Sequence, residues 1–404
     1  MKKNCVLFML FVFALSLNTF AQDKEKKADT TGYVFTTVKS IKVTPVKDQY
    51  RSGTCWSFST IGFVEAELLR MGKGEYDLSD MFPVRKCYSE KAEKYVRMHG
   101  KINFAGGGAA HDVINVIRDY GIVPEQVYSG LNYGTEKHVH GEIDAVLKAY
   151  VDAVIKNKNK KITPVWHKGF DSVLDAYFGV VPETFTYKGK EYTPKSFAEE
   201  LGFNPDDYVE LTSYTHHPFY EKFILEVPDN WSWDSDYNVP MNELMEIIDN
   251  SINNGYTVAW GADVSEKGIS FKNGVAVVPD ADVKNMTDTE RAKWEKLTKK
   301  EKDKQLYKFD KPGKEKEITQ EMRQEGFDNW TTGDDHGMLI TGIAKDQIGH
   351  KYYIIKNSWG PKVGDNDYNG YFYASENYVQ YKTMDILVHK NAIPKKIKKK
   401  LHIK

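Results

Sequence analysis

Cys55, His336 and Asn357 are the residues from which chemistry could start. A thiol is a useful nucleophile only as its thiolate, which a helix N-terminus and a neighbouring imidazolium both favour. Cys55 stands where the first strong helical pattern begins, so the positive end of the helix dipole would stabilise its negative charge. His336–Lys345 and Tyr352–Trp359 are rich in β-branched and aromatic residues, and Asp346–His350, with Gly349, suits a connecting turn. A hairpin centred near residue 347 places Asn357 opposite about residue 337, which makes His336 and Asn357 cross-strand neighbours. The amide can then accept from one ring nitrogen and hold the other toward sulfur, the Cys-His-Asn logic of nucleophilic acyl transfer. Gln49 lies six residues before Cys55, in the loop leading to the same helix. Its side-chain NH₂, with the Cys55 backbone N–H, could bind the oxyanion of a tetrahedral intermediate. Each piece alone is weak: a lone Cys before a helix is more often structural, and a His that starts a strand is usually core.

These residues need elements to position them. After Cys55, the residues Ile61, Val64, Leu68 and Met71 fall on one helical face, and Gly72 and Gly74 end the run. A second helix is expected from about Ala109 to Tyr120, with a Val113–Val116–Ile117 stripe and Gly121 after it. Residues 140–235 look like an insertion or satellite layer, with helical stretches at Ile143–Lys156 and Phe170–Phe178 and a turn-rich piece at Tyr187–Thr193. Met241–Asn253 is amphipathic, and Thr257–Gly261 and Gly274–Val278 are β-like. Thr287 with Glu290 makes a capping box that opens a charged, solvated helix to about Tyr307. No internal repeat is present.

The chain has 404 residues, 41% hydrophobic and 28% charged, which excludes a disordered or low-complexity protein. With 56 Lys+Arg against 57 Asp+Glu it carries no overall basic field for nucleic acid. The first 21 residues read as a secretory signal peptide. Lys2 and Lys3 form a basic start, Val6 to Leu17 is an apolar run, and Thr19 and Ala21 precede a cleavage site after Ala21. The expected location is therefore periplasmic or extracellular. Cys5 precedes the apolar run and is badly placed as a lipoprotein acceptor, and no other run reaches membrane-spanning length. Gln22–Lys42 reads as a loose arm. Three cysteines are too few for a disulfide scaffold; after cleavage Cys55 and Cys87 remain, and an oxidising compartment makes a bond between them the plain alternative.

The local sequences decide between these readings. Val43–Ser59 reads VTPVKDQYRSGTCWSFS, Asp335–Gly342 reads DHGMLITG, and Lys356–Gly360 reads KNSWG. Together, and in this order, they resemble the papain-like cysteine peptidases. DYGIVPEQVY, GYTVAWGADVSEKG and the long insertion resemble the bleomycin hydrolase/aminopeptidase C branch. The resemblance implies an α+β fold in two lobes, helical and β-rich, with a largely helical insertion at about 140–235 inside a peptidase domain spanning 43–390. It implies Cys55 as nucleophile, His336 as acid/base, Asn357 as the group that orients the imidazole, and Gln49 in the oxyanion hole. Gly107 and Gly108, in a Gly run that ends 13 residues before Gly121, would bind the substrate backbone, and Trp359 would cover the His–Asn pair. Peptide substrates, no cofactor, and homo-oligomerisation (relatives are hexameric) are implied in the same way.

Departures from the family pattern matter as well. Ser52 stands where many papain-like enzymes have a disulfide cysteine, which leaves Cys87 as a buried or free thiol. In aminopeptidase relatives a C-terminal arm enters the cleft. Here His389–Lys404 resembles the helix before that arm, with Ile393, Ile397 and Leu401 as a docking stripe and a Lys-rich tail over 391–404. An endopeptidase with an open cleft is therefore an alternative to an aminopeptidase. An acyltransferase and an inactive binding protein are further alternatives, although all four catalytic positions hold competent residues. His216-His217 and His138/His140 lack a convincing ligand cluster, so no metal is expected.

Overall fold

The computed structural model describes residues 32–404. The signal-peptide expectation for residues 1–21 lies outside the described residues, as does the first part of the expected arm. In chain order the strands are β1 (Thr36–Ser40), β2 (Phe185–Tyr187), β3 (Lys190–Tyr192), β4 (Tyr208–Thr212), β5 (Lys222–Ile224), β6 (Ser235–Asn238) and β7 (Val258–Ala262). They continue with β8 (Ile269–Ser270), β9 (Val275–Ala276), β10 (His336–Lys345), β11 (Lys351–Lys356), β12 (Tyr371–Ser375) and β13 (Thr383–His389). All but the β2–β3 hairpin join one sheet, ordered β5-β6-β4-β13-β7-β10-β11-β12-β9-β8, with β1 paired to the far half of β10. This mixed sheet and the helices packed on it give the expected α+β papain-like architecture.

Three helices build the other half of the site: α1 (Cys55–Arg70), α2 (Met81–Arg97) and α3 (Ala110–Tyr120). α1 is buried along nearly its whole length, including Ser57, Thr60, Glu65 and Glu67. A helix this deep must satisfy its polar groups internally. Ser57 Oγ accordingly donates to the Asp80 carbonyl at 2.5 Å, and Glu65 accepts from the Thr44 hydroxyl at 2.6 Å and from Lys47 at 3.0 Å. One apolar core joins α1–α3 to the insertion helices. A second lies between the sheet, helix Met241–Asn253 and the C-terminal residues.

Several expectations are changed by the fold. Thr36–Ser40 is a strand, not loose arm: its side chains are all exposed, so no alternation of apolar residues marked it, and it is held by pairing with the β10 backbone. The insertion contains helices Gly141–Ile155 and Val165–Phe178, but from Tyr208 onward it supplies β4, β5 and β6 to the main sheet and is not a satellite. The charged helix is two helices, Asp288–Lys296 and Lys299–Leu306, because Thr298 with Glu301 makes a second capping box. α2 had no reading from sequence. It carries Cys87, which is buried and free, as Cys55 is also free; the Cys55–Cys87 disulfide does not form. Ile393, Ile397 and Leu401 are buried as a docked stripe, and Lys400 pairs with Glu243. No helix among the described residues is long and apolar enough to cross a membrane.

His138 and His140 flank the loop that leads to Cys55. The backbone of Arg51 bonds to both, through Arg51 N to His138 O at 2.9 Å and His140 N to Arg51 O at 3.0 Å. Burial holds the imidazoles neutral, down to about 4 for His138 and about 3 for His140. The unfolded chain takes up these protons near pH 6.5 and the folded chain does not, so stability must fall as pH drops below that value. Urea titrations at pH 7 and pH 4.5 should show His140→Phe losing about 2–3 kcal/mol less than wild type between the two pH values. An unchanged difference would show that His140 is charged in the fold.

Candidate active site

The two halves meet where β10 begins against the first turn of α1. Gly337 makes the approach possible: a Cβ there would lie 3.1 Å from Trp56 Cα and 2.7 Å from Ser59 Oγ. His336, the residue before it, is thereby brought beside Cys55, the first residue of α1. The backbone N–H groups of Gly337 and Trp56 are directed at the thiol. These donors favour a thiolate, but burial is the largest influence and pushes the Cys55 thiol up to about 11. Burial likewise lowers His336 to about 4. The donors at the helix terminus act in the direction the sequence implies, and burial outweighs them.

His336 Nε2 donates to Asn357 Oδ1 at 2.7 Å. The same oxygen accepts from the Ser358 backbone N–H at 2.8 Å, which fixes the amide orientation. Nε2 must then carry the ring proton of the neutral imidazole, leaving the Nδ1 lone pair available as a base. The strand register explains the pairing: Leu339 faces Lys356 across β10–β11, so the hairpin runs one residue from the spacing estimate; its turn is centred near residue 348, and a bulge at Thr341 takes back part of the offset. The Trp359 ring lies over the imidazole, centroids 4.5 Å apart, and is itself backed by Phe271 at 4.7 Å.

Gln49 is buried beside the same motif. Ser358 Oγ donates to its Oε1 at 2.6 Å, and its backbone N–H donates to the Ser358 carbonyl at 2.8 Å. With the oxygen held, the Nε2 donors are the free end. Ser52 is buried and bonded to the Thr54 hydroxyl.

The glycines are less open than their sequence suggested. Gly108 lines the cavity with Cys55 and His336, and a Cβ on it would meet the Trp56 ring at 2.9 Å. The room beside Gly107 is taken by the Asp229 carboxylate, whose Oδ2 lies 2.0 Å from the position of a Cβ. Asp229, Asp236, Asp334, Asp385, Glu210 and His111 also line this cavity, and none was singled out from sequence. Only Asp334, adjacent to Asp335 and His336, carried a local signal. The others come from α3, β4, β6, β13 and the loop between β5 and β6, which no motif identifies.

Folding also brings together ligand-type side chains that the sequence kept apart. Glu226 accepts from His216 at 3.0 Å and from His217 at 3.1 Å, and His111, Glu210 and Asp236 place ligand atoms within 4.8 Å of one another. Both groups have the geometry to hold a cation, where spacing alone had offered no cluster. Each is also an internally bonded His–carboxylate set, with His111 Nδ1 2.5 Å from Glu210 and Nε2 2.8 Å from Ser232 Oγ. His138 and His140 stand near one another without a carboxylate in such a group.

Comparison with known proteins agrees with this architecture. Residues 34–191 match the papain family cysteine proteases, and residues 295–404 match the peptidase C1-like family. Aminopeptidase G of Lactobacillus delbrueckii subsp. lactis is 24% identical over 93% of this chain and 87% of its own length. Aminopeptidase C of Listeria monocytogenes is 22% identical over 87% of this chain and 81% of its own. The solved structure of PepW from Lactobacillus rhamnosis HN001 superposes with a TM-score of 0.67 at 18% identity, covering 91% of this chain and 84% of that one. Two family matches from opposite ends of the chain, near full-length relatives and a shared fold together support a papain-like cysteine peptidase of the aminopeptidase C branch.

Proposed function

We propose that the protein is an exported aminopeptidase that works through a Cys55–His336–Asn357 acyl-enzyme mechanism. One observation carries the mechanism: the 2.7 Å bond from His336 Nε2 to Asn357 leaves Nδ1 as the base on the side of the nucleophile. Nδ1 takes the Cys55 proton as sulfur attacks the peptide carbonyl, then gives it to the departing amine. Water resolves the thioester, with the same imidazole as base. The Gln49 Nε2 donor and the Cys55 backbone N–H bind the developing oxyanion. Trp359 and Phe271 keep water from the His336–Asn357 bond, which supports its strength. Gly108 serves the substrate backbone, and the Lys2–Ala21 segment supports export.

The aminopeptidase part rests on the relatives' activity, and product analysis tests it. Mature protein, residues 22–404, is incubated under reducing conditions with peptides bearing free or N-acetylated termini, and the products are read by mass spectrometry. Stepwise trimming of free N-termini alone is the expected result. Internal cuts in acetylated peptides would replace the aminopeptidase with an endopeptidase.

A further inference from the structure

The cavity beside Cys55 holds more carboxyl groups than its own residues pair with cations. Six carboxylates line it: Glu210, Asp229, Asp236, Asp334, Asp335 and Asp385. Glu210 is matched by His111, and Asp335 accepts from the backbone N–H groups of Val264 and Ser265 at 3.3 and 3.1 Å. The other four form no ion pair among the described residues. The nearby cations act on these carboxyls only at a distance and form no ion pair with them among the described residues. Lys91 donates to the Ala105 and Gly107 carbonyls, and Arg323 donates to the Ser213 and Gln380 carbonyls. His336, the only other basic side chain in the lining, is held neutral by burial.

Two further features point to a ligand. Asp236, which lines this cavity, is 3% exposed; its carboxyl lies against that of Glu210, and its Oδ1 has no hydrogen-bond donor. A buried carboxylate oxygen without a donor is costly unless something else supplies one. The Asp229 carboxylate, held only by Asn103 Nδ2 at 3.2 Å, is presented by a rigid loop. Asn230 Nδ2 bonds the Leu225 and Asp234 carbonyls at 3.1 and 2.9 Å, Trp231 Nε1 bonds Asp112 at 2.9 Å, and Lys94 bonds the Ser232 carbonyl at 2.6 Å. Asp385 lies over Gly261, where a Cβ would stand 2.6 Å from its Oδ1. Burial and the neighbouring Glu210 charge raise the Asp385 carboxyl to about 7, while burial raises Asp236 and Asp334 well above the usual range. An incoming cation would reverse these shifts.

The geometry points to this cavity as the receptor for an ammonium or guanidinium group of the peptide substrate, with Asp229, Asp236, Asp334 and Asp385 as its acceptors. Two sources share that chemistry, the free α-amino terminus and a Lys or Arg side chain near the scissile bond. The inference rests on the peptidase reading for the identity of the ligand, but its test does not need turnover.

Full-length mature Cys55→Ala protein is titrated calorimetrically with four hexapeptides of one sequence. The N-terminus is free or acetylated, and the second residue is lysine or norleucine. Removal of the recognised cation is expected to weaken binding by about 10-fold or more. Loss on acetylation names the α-ammonium, and loss on norleucine replacement names the side chain. Asp229→Asn and Asp385→Asn should each bring that factor below about 3-fold. Thermal melts identify either variant if it misfolds, and the other then decides. Four peptides that bind alike to the Cys55→Ala protein would overturn the inference. Cation-dependent binding without wild-type turnover would sink the peptidase mechanism and leave the receptor standing.

Discussion

Replacing Cys55 with alanine is expected to lower kcat/KM on every peptide by at least about 10⁴-fold while leaving the fold intact. The two halves of this prediction have separate physical grounds. The loss follows because acyl transfer through a covalent intermediate disappears with its nucleophile, and residues that act as one unit fail together. The fold survives because Cys55 is the first residue of α1 and makes no disulfide. Alanine is the best helix former, so the helix start loses little. Cys87 gives an internal control. It is buried in the helical core, and burial pushes its thiol well above the ordinary range. Mature wild type should therefore take up one equivalent of iodoacetamide at Cys55 and lose activity in proportion. A Cys55→Ala protein that still turned over peptides would remove Cys55 from the mechanism, whatever the fold resembles.

How much of this was legible in the sequence varies with the kind of signal. Cys55, His336, Asn357 and Gln49 lie in short motifs with fixed spacing, and the His336–Asn357 pairing followed from hairpin geometry to within one residue. The error came from the turn, which is centred near residue 348 and not 347, and the bulge at Thr341 takes back part of it; hairpin counting foresees neither. α1 and α3 were legible because apolar stripes ended at glycines. α2 was not, since Lys and Glu crowd a helix that nonetheless buries Met81, Phe82, Val84 and Tyr88. The acidic cavity was hidden for a different reason. Its members come from positions 210, 229, 236, 334 and 385, and only the folded sheet places them side by side. A carboxylate in a short strand such as Tyr208–Thr212 reads as a solvent-facing residue until its neighbours are known. The same holds for the Cys55 dipole argument. The helix N-terminus is present, but the degree of burial that outweighs it belongs to the assembled site.

That burial makes His336 the second decisive residue. A thiol held up to about 11 is, on its own, thiolate in only about one molecule in 10⁴ at pH 7. Turnover at neutral pH must therefore draw on a base that removes the proton as sulfur attacks. His336 is suited to this, because burial keeps it neutral down to about 4, and Asn357 fixes the proton on Nε2. His336→Gln should lower kcat/KM by about 10³–10⁴-fold and should also slow iodoacetamide labelling of Cys55 at pH 7, where no substrate is involved. Asn357→Ala removes only the orienting bond, so a smaller loss of about 10–100-fold is expected. The double variant should be little worse than His336→Gln alone, since Asn357 acts through the imidazole. The sign of the pH dependence follows from the lowered value: the imidazole remains a base through pH 5–6, and this requirement is lost only as pH falls through about 4. The labelling rate separates a chemical role from a structural one. If His336→Gln labels as fast as wild type, the imidazole does not receive the thiol proton, and another group must be the base.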